Sequence, residues 1–264
     1  MKDFSTVLIP FDFSGQALGA LSYASQFFRG QSDKRIIILH VLENHPDAVE
    51  IRDIQQRLQA IAEQYQSDTT AKISWETLTG EIPEGILLAQ QKLQTDAIVM
   101  GTQGNMQHSS KAATNTAELV YNSECPVIVV PETEADFQLK KLVLLLDQSL
   151  LKEPEKLSVP LALARQFDAK VHVLTFYQDE ASLLAKGDAV EQQLAYYFDR
   201  FYTNHIFVKD KQLLEGIKKY IDTHDIDLFA IIPNHHATKG PVSEGRLTRL
   251  LTMESPIPLL SIDL

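Results

Sequence analysis

The residues best placed to do chemistry in this 264-residue sequence lie in one stretch, Met100-Gly101-Thr102-Gln103-Gly104 through Thr114-Asn115-Thr116. Two glycines three apart let a chain turn tightly and bring its amide groups close to a ligand. Thr114, Asn115 and Thr116 add hydroxyls and an amide where a helix is expected to start, and a helix start favours an anion. Together these groups would cradle a phosphate. The same spacing also fits a plain turn, with Asn115 or Thr116 as a helix cap. Asp12 and Ser14 offer a carboxylate and a hydroxyl ahead of another helical stretch, again as ligand group or cap. His40, at the end of an apolar run, reads as a satisfied polar group rather than a base. Adjacent His235 and His236 point apart in an extended loop, with no acidic or Cys partner at ligand spacing, so no metal site is expected. Cys125 reads as a small buried residue. No P-loop, dinucleotide fingerprint, nucleophile elbow or His-Glu-x2-His occurs, so no catalytic residues are expected and the chain is read as a non-enzyme.

Composition narrows the partners. Asp and Glu total 35 against 24 Lys and Arg, a formal charge of −11, and no basic run breaks the acidity. Nucleic acid and anionic membranes are therefore not expected partners. No apolar run approaches the ~20 residues that span a bilayer, and no signal pattern opens the chain. A single cysteine excludes an intrachain disulfide. The expected location is the cytoplasm.

These candidate groups need elements to position them, and the elements occur twice. Val7-Leu8-Ile9-Pro10-Phe11-Asp12-Phe13-Ser14 lines up with Leu142-Val143-Leu144-Leu145-Leu146-Asp147-Gln148-Ser149 at an offset of 135 residues. Arg35 to Val41 falls on Lys170 to Phe176 at the same offset. Glu84-Gly85-Ile86 matches Glu215-Gly216-Ile217, and Asp96-Ala97-Ile98 matches Asp227-Leu228-Phe229, both at 131. Pro126-Val127-Ile128 matches Pro258-Leu259-Leu260 at 132. Two copies of one domain are expected, 1–132 and 138–264, with Glu132 to Asp136 as linker.

Each copy alternates short apolar runs with amphipathic stretches, the pattern of an α/β domain. The first predicts strands near 5–10, 35–42, 71–78, 96–101 and 126–131, and helices near 15–29, 46–66, 83–93 and 112–122. The second predicts strands near 139–146, 169–176, 227–232 and 257–262, with a weakly marked one near 205–208. Nearly unbroken Val, Ile and Leu suits parallel strands covered on both faces. The expected architecture is two Rossmann-like domains, each an open five-stranded parallel sheet with helices on both faces, related by a pseudo-twofold axis. Ligands of such sheets lie beyond the carboxyl ends of the strands where strand order reverses.

Val-Leu-Ile-Pro-Phe-Asp-Phe-Ser, the Leu-His-Val strand end, Asp-Ala-Ile-Val-Met-Gly-Thr-Gln-Gly and Cys-Pro-Val-Ile-Val-Val together resemble the universal stress protein family over nearly the whole chain, as a tandem pair. The resemblance implies a stress-response module with the five-stranded fold, and in one branch of the family ATP binding through Gly-x2-Gly-x9-Gly-Ser/Thr. Gly101 and Gly104 match the first two glycines. Ala113 falls at the third and Thr114 at the Ser/Thr, followed by Asn115. The intervening loop has eight residues, one short of the family pattern. Asp12 matches the aspartate near the adenosine, Pro10 lines the same site, Val41 matches the residue whose backbone meets adenine, and Met100 precedes the loop. The implied ligand is ATP or AMP, bound in the first copy with a weakened grip on the outer phosphates. In the second copy Ile232 and His235 replace the two glycines, and Pro233 removes an amide donor, so no nucleotide is expected there. The competing reading is a nucleotide-free protein-interaction or scaffold module with an unidentified protein partner. Family members pair through the last strand of each sheet. Here Val127 to Val130 and Leu259 to Ile262 are therefore expected to pair antiparallel within the chain, leaving further homo-oligomerisation open.

Overall fold

The computed structural model describes residues 4–44, 46–102, 111–132, 136–146, 154–177, 187–209, 213–233, 251 and 255–262. The first half runs β1 (Thr6–Pro10), α1 (Gly15–Phe27), β2 (Arg35–Leu42), α2 (Ala48–Gln66), β3 (Lys72–Thr79), α3 (Ile82–Leu93), β4 (Ala97–Thr102), α4 (Lys111–Asn122) and β5 (Val127–Pro131). The second runs β6 (Lys141–Leu145), α5 (Ser158–Phe167), β7 (Lys170–Tyr177), α6 (Gly187–Phe198), β8 (Tyr202–Lys209), α7 (Leu213–His224), β9 (Leu228–Ile231) and β10 (Leu259–Ser261).

All ten strands join one sheet in the order β3-β2-β1-β4-β5-β10-β9-β6-β7-β8. Pairing is parallel within each half. The halves meet at β5 and β10, which run antiparallel with Leu259 opposite Val129, Leu260 opposite Ile128 and Ser261 opposite Val127. Strand order on one side of this seam mirrors the other.

Alternation along each strand divides the apolar residues between two faces. Val7, Ile9, Ile36, Ile38, Leu142 and Leu144 pack with α1, α2, α5 and α6, whereas Leu8, Ile37, Ile98, Val143 and Leu145 pack with α3, α4 and α7. Each face carries one core that runs across both halves. The repeated Asp96 and Asp227 have structural work in common. Asp96 Oδ2 accepts from the amides of Ser5 and Thr6 at 2.9 and 2.8 Å, and Asp227 Oδ2 from those of Lys140 and Lys141 at 2.7 and 2.8 Å. Each carboxylate ties the entry of one central strand to its neighbour.

One expectation is corrected. Helix α4 begins at Lys111, so Thr114 and Asn115 lie beyond its first three residues and neither Asn115 nor Thr116 caps it. Lys-Ala-Ala ahead of them are good helix formers and already occupy the first turn, as the expected start near 112 implies. The residue that follows the expected linker is docked. Phe137 packs edge-on against Tyr23 and Phe27 of α1, with centroids 5.1 and 5.2 Å apart, and lies 4.9 Å from Phe167 of α5.

Candidate functional site

The carboxyl ends of β2, β1 and β4 lie side by side, and the strand order reverses between β1 and β4. Pro10 ends β1 half-buried, and exposed Asp12 follows. Asp12 Oδ1 accepts from the Ser14 amide at 3.0 Å, and Ser14 Oγ from the Ala17 amide at 3.2 Å. Ser14 is thus the cap of α1, while Asp12 braces the turn before it. Phe13 within that turn has a left-handed φ of 64°. His40 Nδ1–H donates to the Phe11 carbonyl at 2.7 Å, which fixes its tautomer. Its ring lies 5.2 Å from that of Phe13, and the Arg57 guanidinium of α2 sits 3.9 Å from the Phe13 centroid. This Phe13–His40–Arg57 stack escapes sequence reasoning because Arg57 comes from a helix 44 residues further on.

Half-buried Val41 packs over α3, where a Cβ on Gly85 would lie 3.2 Å from Val41 Cγ1. Met100 is buried in the core rather than turned to the opening. Gly101 stands directly beneath the first turn of α1, where a Cβ would lie 2.8 Å from Gln16 Cβ and collide with the Gln16 carbonyl. Asn115 is half-buried on α4. Gly104, with the rest of 103–110, lies outside the described residues, as does the Thr114 side chain. The structure therefore gathers Pro10, Asp12, Val41 and Gly101 at the carboxyl ends of the central strands.

The second half repeats the geometry up to the same point. The Leu146 amide donates to the Leu174 carbonyl at 2.8 Å, as the Phe11 amide does to Leu39. Asp147 and His235 lie outside the described residues. Ile232 is buried, and Pro233, which has no amide to offer, follows it. Among the described residues no three His, Cys, Asp or Glu side chains gather as a metal site.

A titratable cluster lies at the opposite, amino-terminal ends of β6, β7 and β8. Buried His172 on β7 contacts the Tyr220 hydroxyl at 2.6 Å, and that hydroxyl donates to Asn204 Oδ1 at 3.3 Å. The His224 ring stacks on Tyr220 at 3.9 Å, and Lys141 Nζ donates to the His224 carbonyl at 2.6 Å. Burial, then His224 and Lys141, push the His172 pKa from 6.5 down to about 4. The unfolded chain takes up this proton near pH 6.5 and the folded one only near pH 4. The stabilisation is accordingly complete above pH 6.5 and lost as pH falls to 4. Charged His172 would keep its bond to the Tyr220 oxygen, so the expected loss is about 2 kcal/mol, below the full value of the shift. Urea unfolding across this range should show that slope in the wild type and a shallower one in His172→Gln. Equal slopes would remove His172 from the account.

A sequence profile described as the universal stress protein family matches residues 3–131. A universal stress protein from Archaeoglobus fulgidus DSM 4304 aligns over 98% of this chain and 97% of its own, at 14% identity and TM-score 0.70. A putative universal stress protein from Pseudomonas aeruginosa UCBPP-PA14 aligns over 99% and 94%, at 16% identity and TM-score 0.64. A shorter structure, described as a universal stress protein in complex with cAMP, aligns over 48% of this chain and 96% of its own, at 19% identity and TM-score 0.41. A search of curated protein sequences gives no significant match.

Proposed function

Because the chain belongs to the universal stress protein family through residues 3–131, we propose that it is a tandem stress-response module binding an adenine nucleotide at the carboxyl ends of β1, β2 and β4, without catalysing a reaction. In this reading 1–132 is the ligand-bearing domain and 138–264 a degenerate copy. Asp12 and Pro10 face the adenosine, the Val41 backbone meets the adenine, and the loop through Gly104 to Thr114 and Asn115 holds phosphate. The observation that carries the reading is the convergence of Pro10, Asp12, Val41 and Gly101 on the β1/β4 switch point, the position where ligands of such sheets bind. Among the described residues no helix is long and apolar enough to cross a membrane, and the module is read as cytoplasmic.

Calorimetric titration with ATP, ADP, AMP and cAMP tests this. ATP should gain little over ADP or AMP, since the short loop holds the outer phosphates weakly. Asp12→Ala should weaken binding about tenfold, the equivalent of one lost polar contact. That variant also loses the bond to the Ser14 amide, so its unfolding midpoint must be measured alongside. Gly104→Val should weaken binding and Asp147→Ala leave it unchanged. Loss with Asp147→Ala but retention with Gly104→Val would move the site to the second half.

A second reading, a nucleotide-free interaction module, draws support from Gly101. Its lack of a side chain is fully accounted for by the approach of α1, with no ligand needed. Absence of binding by the wild type at millimolar nucleotide would favour this reading.

A further inference from the structure

The outer edge of β3 carries an unpaired backbone ladder. The Lys72 and Gly80 amides donate to Lys34 and Leu42 of the neighbouring strand side, at 2.9 and 3.2 Å. Alternation therefore turns the amides and carbonyls of Ile73, Trp75 and Thr77 outward. Gln66 Oε1 accepts from the Ile73 amide at 3.0 Å. The Trp75 and Thr77 amides have no partner among the described residues. Such an edge is a template for another strand.

The charges flanking this edge indicate which strand fits. Helix α2 runs antiparallel beside β3, with Gln66 at Ile73 and Gln59 Oε1 accepting from Trp75 Nε1–H at 2.7 Å. At about 1.5 Å per helical residue and 3.3 Å per strand residue, Glu63 lies near Ile73 and Arg52 near Leu78. Arg52, Glu63 and Trp75 line an open groove of about 440 Å³ along the edge. On the other face exposed Lys72 opens the strand and exposed Glu76 stands near its middle, next to Trp75. Each face thus carries one positive and one negative group at different positions along the strand. The edge is locally neutral in a chain of net charge −11. A parallel copy of the edge would set like charges together. An antiparallel copy centred on Trp75 instead sets each Lys72 diagonally across from the second Glu76 and each Glu63 near the second Arg52. That gives two attractions on each face against the single Glu76–Glu76 contact across the axis.

We infer that β3 is a homodimerisation edge, pairing antiparallel with β3 of a second copy about a twofold axis through Trp75. The Trp75 amides and carbonyls bond reciprocally across the axis, and each Thr77 amide donates to the opposite Ile73 carbonyl. Four backbone bonds form without displacing Gln66. The interface is isologous and closed, joining two ten-stranded sheets.

Sedimentation velocity and fluorescence on the full chain test this directly, because Trp75 is the only tryptophan. The wild type should convert from monomer to dimer across the micromolar to submillimolar range, with Trp75 emission changing at the same concentrations. Lys72→Glu and Glu76→Lys should each weaken dimerisation by about tenfold or more by turning two cross-strand attractions into repulsions. The double exchange should restore it. Thr77→Pro removes two of the four bonds, and as its amide has no partner among the described residues, circular dichroism should show an intact monomer. A wild type that stays monomeric, or dimers unaffected by both single exchanges, would overturn the assignment.

Discussion

Gly101→Ala is expected to lower the stability of the ligand-free chain by about 3 kcal/mol, the upper part of the usual range for overpacking. A single added methyl has this effect because its neighbour is backbone. The Cβ would lie 2.8 Å from Gln16 Cβ and run into the Gln16 carbonyl, and no side-chain rotation relieves that contact. Relief requires α1 to move off β4. Gln16 is the second residue of α1, so the shift falls on the turn held by Asp12 to the Ser14 amide and Ser14 to the Ala17 amide. Phe13 in that turn already has a left-handed backbone, which restricts how the chain can adjust. Urea denaturation without nucleotide should therefore show a markedly lower midpoint. A midpoint within experimental error of the wild type would mean that α1 does not approach β4 as described. A nucleotide affinity measured on Gly101→Ala would mix folding with binding, and Gly104 is for that reason the position proposed for the binding test.

The same residue marks the limit of what the sequence discloses. Gly101 is conspicuous in a Gly-x2-Gly pattern and invites a phosphate. A pattern along the chain gives no account of a helix crossing it from 85 residues away. Elements defined by local chemistry were legible. β2 at Arg35–Leu42 falls at the expected bounds, and β1, β4 and β5 begin within one residue of theirs, since unbroken Val and Ile runs suit strands covered on both faces. β8 was faint because it forms the other edge of the sheet, where Asn204 and His205 interrupt the apolar pattern. The helix near 112–122 begins one residue earlier, at Lys111. The capping role given to Asn115 or Thr116 fails, because Thr-Asn-Thr has the composition of a helix cap and only the helix itself reveals an interior position. The cluster around His172 was invisible because its members come from β6, β7, β8 and α7, each unremarkable alone.

Phe137→Ala is expected to cost about 3 kcal/mol, near the lower end for loss of a packed Phe because this ring is half-buried. No local pattern marks Phe137, which follows a polar segment, yet it joins the halves. Its ring meets Tyr23 and Phe27 of α1 edge-on and Phe167 of α5 at 4.9 Å, while Phe27 and Phe167 touch each other at 5.1 Å. Its amide donates to Gln26 Oε1 at 3.2 Å. One ring therefore fills the angle between a helix of each half, over the seam where β5 meets the three residues of β10. Removing it leaves a cavity bounded by aromatics that cannot collapse without moving α1 against α5. The sheet and both cores nevertheless continue across the seam, so the halves should still unfold together. Calorimetry should show one transition in the wild type and one in the variant, lower by about 6–10 °C. Trp75 fluorescence, reporting on the far edge of the first half, should follow the same curve as far-UV circular dichroism in both proteins. A wild type with two separated transitions would contradict a shared core. A Phe137→Ala protein with an unchanged midpoint would show that β5 and β10 hold the halves together without the aromatic cluster.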